Sequence, residues 1–476
     1  MARSPKTRRP SRRASVKTAP ARLWGKATLT IERMSQEGRG VARRDGKVVF
    51  VSGALVDEHV LVQCTAVKKG FDEAVMLQRL ADTSANADRV QPMCPIFNEC
   101  GGCSLQHWSM PAQQQHQQAM LQTLLRGEFP LELDPPLLSE PDGYRHRLRL
   151  RVMRDTQHGF ALALRQHRSR QAVPVDRCPV ANAAVNAMIQ SLPQRLKRAP
   201  ELQGLREIEI DADSDNRIGL CFYFAANPGE HVLTALHDVM LTGEVIALRT
   251  RLATQKKSRA DTRFDDDADD ETGLWQALSE TGALQLRTGG FGVDEQAPLP
   301  ELTLAYQPGD FTQTHWGVNA ALVERALAWL QPGEKEDALD LFAGIGNFSL
   351  PLACKARTVQ TFESDASMTA RLTSNAERNG LDNVHAATLN LMTDTVQLPR
   401  ADIAILDPPR AGAKAVCAAL ASTGVKRLVY ISCHPATLLR DARILREGGY
   451  RLVKAASVDM FPHTGHSEAI ALFQRA

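Results

Sequence analysis

At 476 residues the chain is too long for a single hydrophobic core, and two or three domains are expected. Its 43% hydrophobic and 23% charged residues are those of a soluble globular protein, and no run of about 18 apolar residues offers a membrane span. The net charge of +3 conceals an asymmetry, because residues 1–22 hold eight Lys or Arg and no acid, leaving 49 basic against 54 acidic groups in the rest.

The N-terminus, Met1-Ala-Arg-Ser-Pro-Lys-Thr-Arg-Arg-Pro-Ser-Arg-Arg13, is basic but lacks the apolar stretch of a secretory signal, so a cytoplasmic protein is expected. A flexible basic tail over 1–22 would add sequence-independent contacts to nucleic-acid phosphates; a tail that only solubilises has the same composition. Residues 27–82 alternate apolar and polar positions, as in Ala27-Thr-Leu-Thr-Ile31, Lys47-Val-Val-Phe-Val51 and His59-Val-Leu-Val-Gln63, with turn signals between them. The pattern predicts a five-stranded OB-like β-barrel over 23–82, of the kind that binds oligonucleotides, and a bare structural β-module would alternate in the same way. Arg43, Arg44, Lys47, Lys68 and Lys69 give it a basic surface.

A central α+β domain is expected over 83–300. Nine cysteines in a cytoplasmic chain argue against disulfides, and they are unevenly spread: Cys94, Cys100 and Cys103 fall within ten residues, and Cys178 lies in Asp176-Arg-Cys-Pro179. The glutamine-rich stretch from Gln113 to Gln122 has helical character. From Tyr144 to Arg154, Arg145, Arg147, Arg149 and Arg151 alternate with His146, Leu148, Leu150 and Val152, so a period of two puts four guanidinium groups on one strand face. Their repulsion would be offset by a polyanion such as RNA, the alternative being a solvated sheet face. Residues 255–271 swing from basic to acidic, with Asp265, Asp266, Asp267, Asp269, Asp270 and Glu271, which reads as a disordered surface insertion.

Over 301–476 the texture becomes alternating β and α, the mark of a doubly wound domain. The strand Asp337-Ala-Leu-Asp-Leu-Phe342 runs into Ala343-Gly-Ile-Gly346, and a helix starts in Asn347-Phe-Ser-Leu-Pro-Leu-Ala353. The strand Val359-Gln-Thr-Phe-Glu363 ends in an acid about 20 residues on, where a carboxylate takes ribose hydroxyls. The third glycine of a dinucleotide fingerprint is missing, which favours S-adenosylmethionine over NAD. Asp402-Ile-Ala-Ile-Leu406 ends in Asp407-Pro-Pro-Arg410, and Val425-Lys-Arg-Leu-Val-Tyr-Ile431 runs into Ser432-Cys433-His434-Pro435. A thiol is thus placed at the carboxyl end of a buried strand, where open α/β folds bind their ligands. Asp459-Met-Phe-Pro-His-Thr-Gly-His-Ser-Glu468 and the strand Ala469-Ile-Ala-Leu-Phe473 close the chain. Cys354 and Cys417, in helical patterns, read as small buried hydrophobes.

A thiol and a carboxylate beside a methyl donor fit methylation of pyrimidine C5. Thiolate addition at C6 makes C5 nucleophilic, a base then removes the C5 proton, and elimination frees the cysteine. Cys433 would be the nucleophile and Glu468 the base. These motifs resemble the bacterial RNA uracil-C5 methyltransferases, within them the branch acting on 23S rRNA, over nearly the whole chain after residue 22. The resemblance includes Glu37-Gly-Arg-Gly-Val-Ala42, similar to the family's TRAM domain, and Cys94-Pro-Ile-Phe-Asn-Glu-Cys-Gly-Gly-Cys-Ser-Leu-Gln-His107, besides the two segments around Cys433 and His463. It implies a Rossmann-like class I methyltransferase at the C-terminus, with S-adenosylmethionine contacts at Gln313, Phe342, Asn347, Glu363, Asn390 and Asp407. It also implies a 4Fe–4S cluster on Cys94, Cys100, Cys103 and Cys178, whose spacing alone would also permit zinc. The partner would be a single-stranded or loop region of 23S rRNA, bound by a monomer, with no membrane. The chain departs from the family pattern at Ala343, where cysteine is usual, and at His434, where asparagine is usual. Methylation of another RNA, and a non-enzymatic iron–sulfur RNA-binding protein, are the other readings; the second leaves Cys433, Glu468 and the glycine loop without a role.

Overall fold

The computed structural model describes residues 22–80, 86–155, 159–167, 169, 171–199, 202–241, 243–252, 275–277, 283–288 and 299–475. The basic tail up to residue 21 and the charge swing of 255–271 lie outside them. Two compact units are present: one runs to Ala87 except for Gln36–Gly38, and the other comprises Gln36–Gly38 and everything from Asp88.

The first unit is one sheet of six strands, Lys26–Thr30, Arg33–Met34, Gly40–Arg44, Lys47–Ser52, His59–Val67 and Phe71–Arg79. Alternate side chains such as Val49, Val51, Val60 and Val62 are fully buried with Ile31 and Ala74, as a period of two demands of a half-buried sheet. The expected count of five misses Arg33–Met34, which pairs with Gly40 and Val41; two residues are too few to carry a period. Part of the basic surface is tied down within the sheet. The Lys47 ammonium donates to the Asp72 carboxylate and to the Lys68 carbonyl, each at 2.5 Å, and the Arg44 guanidinium lies 4.6 Å over the Trp24 ring.

The second unit holds two larger sheets. The central one has the spatial order Trp275–Ala277, Val245–Leu252, Ile218–Phe224, Leu205–Ala212, Arg147–Asp155, Gly159–Arg165, Ala172–Pro174. Val185, Met188, Ile189, Leu192 and Leu196 of the helix Ala183–Leu196 cover its apolar face. The arginine strand begins at Arg147, and Arg145 precedes it, its Nε donating to the Arg147 carbonyl at 3.0 Å. Arg147, Arg149 and Arg151 share one face, and the neighbouring strand sets Asp211, Glu209 and Glu207 directly opposite them. Arg149 donates to Glu207 at 2.8 Å, and Arg147 pairs with Asp211 and, at 3.7 Å, with Glu209. The repulsion expected to require a polyanion is therefore offset inside the sheet, by acids that alternate with the same period in Leu205-Arg-Glu-Ile-Glu-Ile-Asp-Ala212.

The C-terminal sheet comprises β1 (Asp337–Leu341), β2 (Thr358–Glu363), β3 (Val384–Thr388), β4 (Ile403–Leu406), β5 (Arg427–Ser432), β6 (Tyr450–Val458) and β7 (Glu468–Arg475). Its order is β3-β2-β1-β4-β5-β7-β6, parallel from β3 to β5, with β7 antiparallel to both neighbours. The order reverses between β1 and β4, and doubly wound sheets bind ligands at such switch points. Helix Trp316–Leu330 packs on one face through Val318, Leu322, Leu327 and Leu330. Leu121 and Leu125 of helix Met110–Arg126 pack on the other, with helices Lys414–Leu420 and Pro435–Glu447. The segment before residue 300 thereby supplies part of the catalytic layer, so the central and C-terminal segments share one compact unit. Among the described residues no helix is long and apolar enough to cross a membrane.

Candidate active site

The strand tips gather the expected cofactor residues. Phe342, just after β1, has φ of +70°, a conformation costing a non-glycine residue about 1–3 kcal/mol. The N–H groups of Phe342 and Ala343 both donate to the Phe362 carbonyl, at 3.0 and 3.1 Å, and fix this turn. At Gly346, with φ of +105°, an added Cβ would stand 2.5 Å from Leu350. Glu363, at the end of β2, accepts from the N–H groups of Gly344 at 3.1 Å, Ser364 at 2.6 Å and Asp365 at 3.0 Å, and so braces the glycine loop. Asn347 exchanges two hydrogen bonds with Asn319, at 2.8 and 2.9 Å; nothing in the chain's local pattern marked this partner, which comes from helix Trp316–Leu330. Gln313 donates to Asp407 at 2.9 Å. Asn390, exposed after β3, caps its own turn by accepting from the Met392 N–H at 2.9 Å.

Cys433 follows β5 directly. Because antiparallel β7 pairs Ala469 with Ser432, the next residues outward, Glu468 and Cys433, are neighbours. Glu468 is 4% exposed, and its Oε2 is buried without a hydrogen-bond partner. Burial, followed by the Asp407 charge, pushes its carboxyl well above the usual carboxylate range. Burial also pushes Asp407 up to about 7, against the Gln313 hydrogen bond. The Cys433 thiol is pushed up to about 12 by burial and then by Glu468 and Asp407, with Arg410 pulling the other way. Asp340, bonded to the Ser349 hydroxyl, rises to about 7 through burial and the charges of Asp407 and Glu363. These carboxylates repel one another where they converge, and a cationic ligand relieves that repulsion.

Asp441, fully buried on helix Pro435–Glu447, accepts from the Ala413 N–H and the Tyr430 hydroxyl, both at 2.7 Å. It thereby ties the Asp407-Pro-Pro-Arg410 loop to the helix that follows the thiol. His434 is the N-cap of that helix, but its side chain caps nothing; the hydroxyls of Ser432 and Thr437 donate instead to its carbonyl, at 3.1 and 2.8 Å.

The four clustered cysteines also come together. Cys94, Cys100, Cys103 and Cys178 line one cavity of about 170 Å³, with Ile96, Phe97 and Arg145. Burial pushes the thiols of Cys100 and Cys178 up, and that of Cys103 up to about 12, with neighbouring thiolates adding to each. Among the described residues no group of three or more His, Cys, Asp or Glu is disposed to hold a metal ion as it stands. Cys417 is fully buried in its helix, as its pattern predicts.

A family model described as tRNA (Uracil-5-)-methyltransferase matches residues 292–401 and 394–476, and a TRAM domain model matches 26–77. The 23S rRNA (uracil(1939)-C(5))-methyltransferase RlmD of Chromohalobacter salexigens is 37% identical over 453 residues, covering 94% of this chain and 89% of that protein. The protein of the same description from Hahella chejuensis is 35% identical over 462 residues, covering 94% and 97%. Among solved structures, the Pyrococcus abyssi tRNA (uracil-54, C5)-methyltransferase in complex with S-adenosyl-L-homocysteine aligns with a TM-score of 0.68 at 21% identity, over 94% of this chain and 100% of that one. It shares the fold.

Proposed function

The chain belongs to the RNA uracil-C5 methyltransferases, and we propose that it methylates C5 of one uridine in 23S rRNA through covalent addition of Cys433 to C6. The observation that carries this reading is the placement of a thiol beside a buried, unpartnered carboxylate at the carboxyl ends of β5 and β7. The relatives acting on 23S rRNA, at 37% and 35% identity over 94% of this chain, favour that RNA over tRNA.

S-adenosylmethionine, held at Gln313, Phe342, Asn347, Glu363, Asn390 and Asp407, supplies the electrophilic methyl group. Its sulfonium charge suits a pocket where the charges of Asp407 and Glu363 add to burial in raising the proton affinity of Asp340. Cys433 loses its thiol proton to solvent and attacks C6 as the thiolate. The ring electrons pass to C5, which would take the methyl as its bond to the donor's sulfonium sulfur breaks with the electron pair left on that sulfur. Glu468 then accepts the C5 proton; the C5–C6 double bond re-forms, and the C6–S bond breaks with its electron pair returning to sulfur. A base cannot reach these groups from within a stack, so the uridine must be flipped out or already unpaired.

Incubation with a 23S rRNA fragment and labelled cofactor, with mass-spectrometric mapping, is expected to find one 5-methyluridine. Label in tRNA and none in 23S rRNA would overturn the substrate assignment.

We infer that the four thiols lining the 170 Å³ cavity would close onto a 4Fe–4S cluster, because buried thiols that repel when ionised need a cationic centre to hold them deprotonated. We assign the cluster a structural role, since uracil methylation needs no electron. The protein purified without oxygen should be brown, with iron and sulfide in equal amounts. Zinc in their place would refute the cluster. Replacing Cys103 with serine is expected to weaken folding or RNA binding more than cofactor binding.

A further inference from the structure

The nine-residue link Asp459–Ser467 joins β6 to β7 and delivers Glu468 at its end. Most of its anchors lie in the segment that follows Cys103. Asp459 accepts from Gln114 at 3.0 Å, Gln117 at 3.3 Å and the Ser139 hydroxyl at 2.6 Å. The Tyr144 hydroxyl donates to the Pro462 carbonyl at 3.3 Å. His463 stands in the left-handed region, with φ of +64°, and is held on every side. Its N–H donates to Gln113 Oε1 at 3.1 Å, and its carbonyl accepts from the N–H groups of Ser104 and Leu105 at 2.8 and 2.9 Å. Its ring Nε2 lies 3.0 Å from the Pro141 carbonyl and must donate there, which leaves Nδ1 to accept from Gln113 Nε2 at 3.3 Å.

The glutamine run is thus explained by geometry. Gln113, Gln114, Gln117 and Gln118 fall on one face of helix Met110–Arg126, and Gln118 Oε1 accepts from the Ser457 hydroxyl at 2.6 Å, near the end of β6. Gln113 is 2% exposed. The grip runs from the residues after Cys103 to His463, five positions before Glu468. None of these anchors belongs to the tip of β5 that carries Cys433; toward that side the loop's His466 Nδ1 lies 3.1 Å from Arg410 Nη2.

We propose that Gln113, with Ser104 and Leu105, is a positioning device that fixes the Asp459–Ser467 loop so that Glu468 meets the C5 proton. It serves the second half of the reaction and not the first. The proposal rests on the covalent mechanism given above. In the adduct the C5 proton moves to Glu468 Oε2, the C6–S pair returns to Cys433, and the double bond re-forms. A displaced base slows these events, whereas attack at C6 proceeds as before.

The test uses the full chain as purified, a 23S rRNA fragment and S-adenosylmethionine under single turnover. Two rates are followed: appearance of the protein–RNA adduct on a denaturing gel, and release of 5-methyluridine RNA. In Gln113→Ala, adduct formation should match wild type while release slows by about tenfold or more, so methylated adduct accumulates. Both rates falling together, or neither changing, would overturn the proposal. Ser139→Ala removes one anchor of Asp459 and leaves the helix whole; it should show the same imbalance to a lesser degree, and it decides the matter if Gln113→Ala does not fold. Wild type that forms no adduct with 5-fluorouridine RNA would overturn the covalent mechanism itself. An adduct-forming wild type with an unchanged ratio of rates in the variants would sink only the positioning role.

Discussion

Cys433→Ala is expected to lower the single-turnover rate of methyl transfer by a factor on the order of 10⁴ or more, with S-adenosylmethionine binding unchanged. C5 of uracil is too weak a nucleophile to take a methyl group unaided, and in the proposed mechanism the Cys433 sulfur is the atom that bonds to C6. The other cysteines cannot substitute: Cys64, Cys221 and Cys417 are buried in their strands and helix, the Cys354 thiol donates to the Leu350 carbonyl at 3.4 Å, and Cys94, Cys100, Cys103 and Cys178 surround a separate cavity. The proposed binding residues lie at the tips of β1 to β4 and their loops, with Gln313 just before helix Trp316–Leu330, so the pocket for the cofactor should keep its walls. Calorimetric titration and a methylation assay on the same preparation check both halves. A variant that still makes 5-methyluridine at near wild-type rate would refute the mechanism and the site together.

Glu468→Gln is expected to stop the reaction later. The amide keeps the shape of the carboxyl but cannot accept the C5 proton, so the adduct should form, take up methyl and persist. A gel-stable, methylated protein–RNA species, scarce in wild type, is the readout; a variant that releases product normally would show that another group is the base. The pH dependence carries a sign that follows from the site. Burial and Asp407 hold the Glu468 carboxyl above its ordinary range, so at low pH it is protonated and cannot act. Release in wild type should therefore rise with pH through that raised value, and Glu468→Gln should lose the dependence. Asp407→Asn removes the like charge and should shift the rise to lower pH.

What the sequence by itself determined is local. Apolar runs marked β4 and β5, and β1 but for Asp340, because burial on both faces writes a hydrophobic stretch into each; β2, Thr358-Val-Gln-Thr-Phe-Glu363, is buried at alternate positions and was legible from its place after the glycine loop. A glycine pair after β1 and a cysteine after β5 followed from chain proximity alone, and with them the proposal for the nucleophile. The glutamine run was recognisable as helix, but not as a clamp, since its partners Asp459 and His463 lie more than 300 positions away. The arginine strand was misjudged for the same reason: the acids that neutralise it arrive about 60 residues later, and only strand pairing sets them opposite. Asn319 and Asp441 were silent, because an isolated polar residue in a helix shows its purpose only when its partner is folded against it. The tertiary structure decided above all that Glu468 stands beside Cys433. That neighbourhood depends on β7 entering antiparallel to β5 in one register, and a shift by a single residue would turn the carboxylate to the opposite face of the sheet.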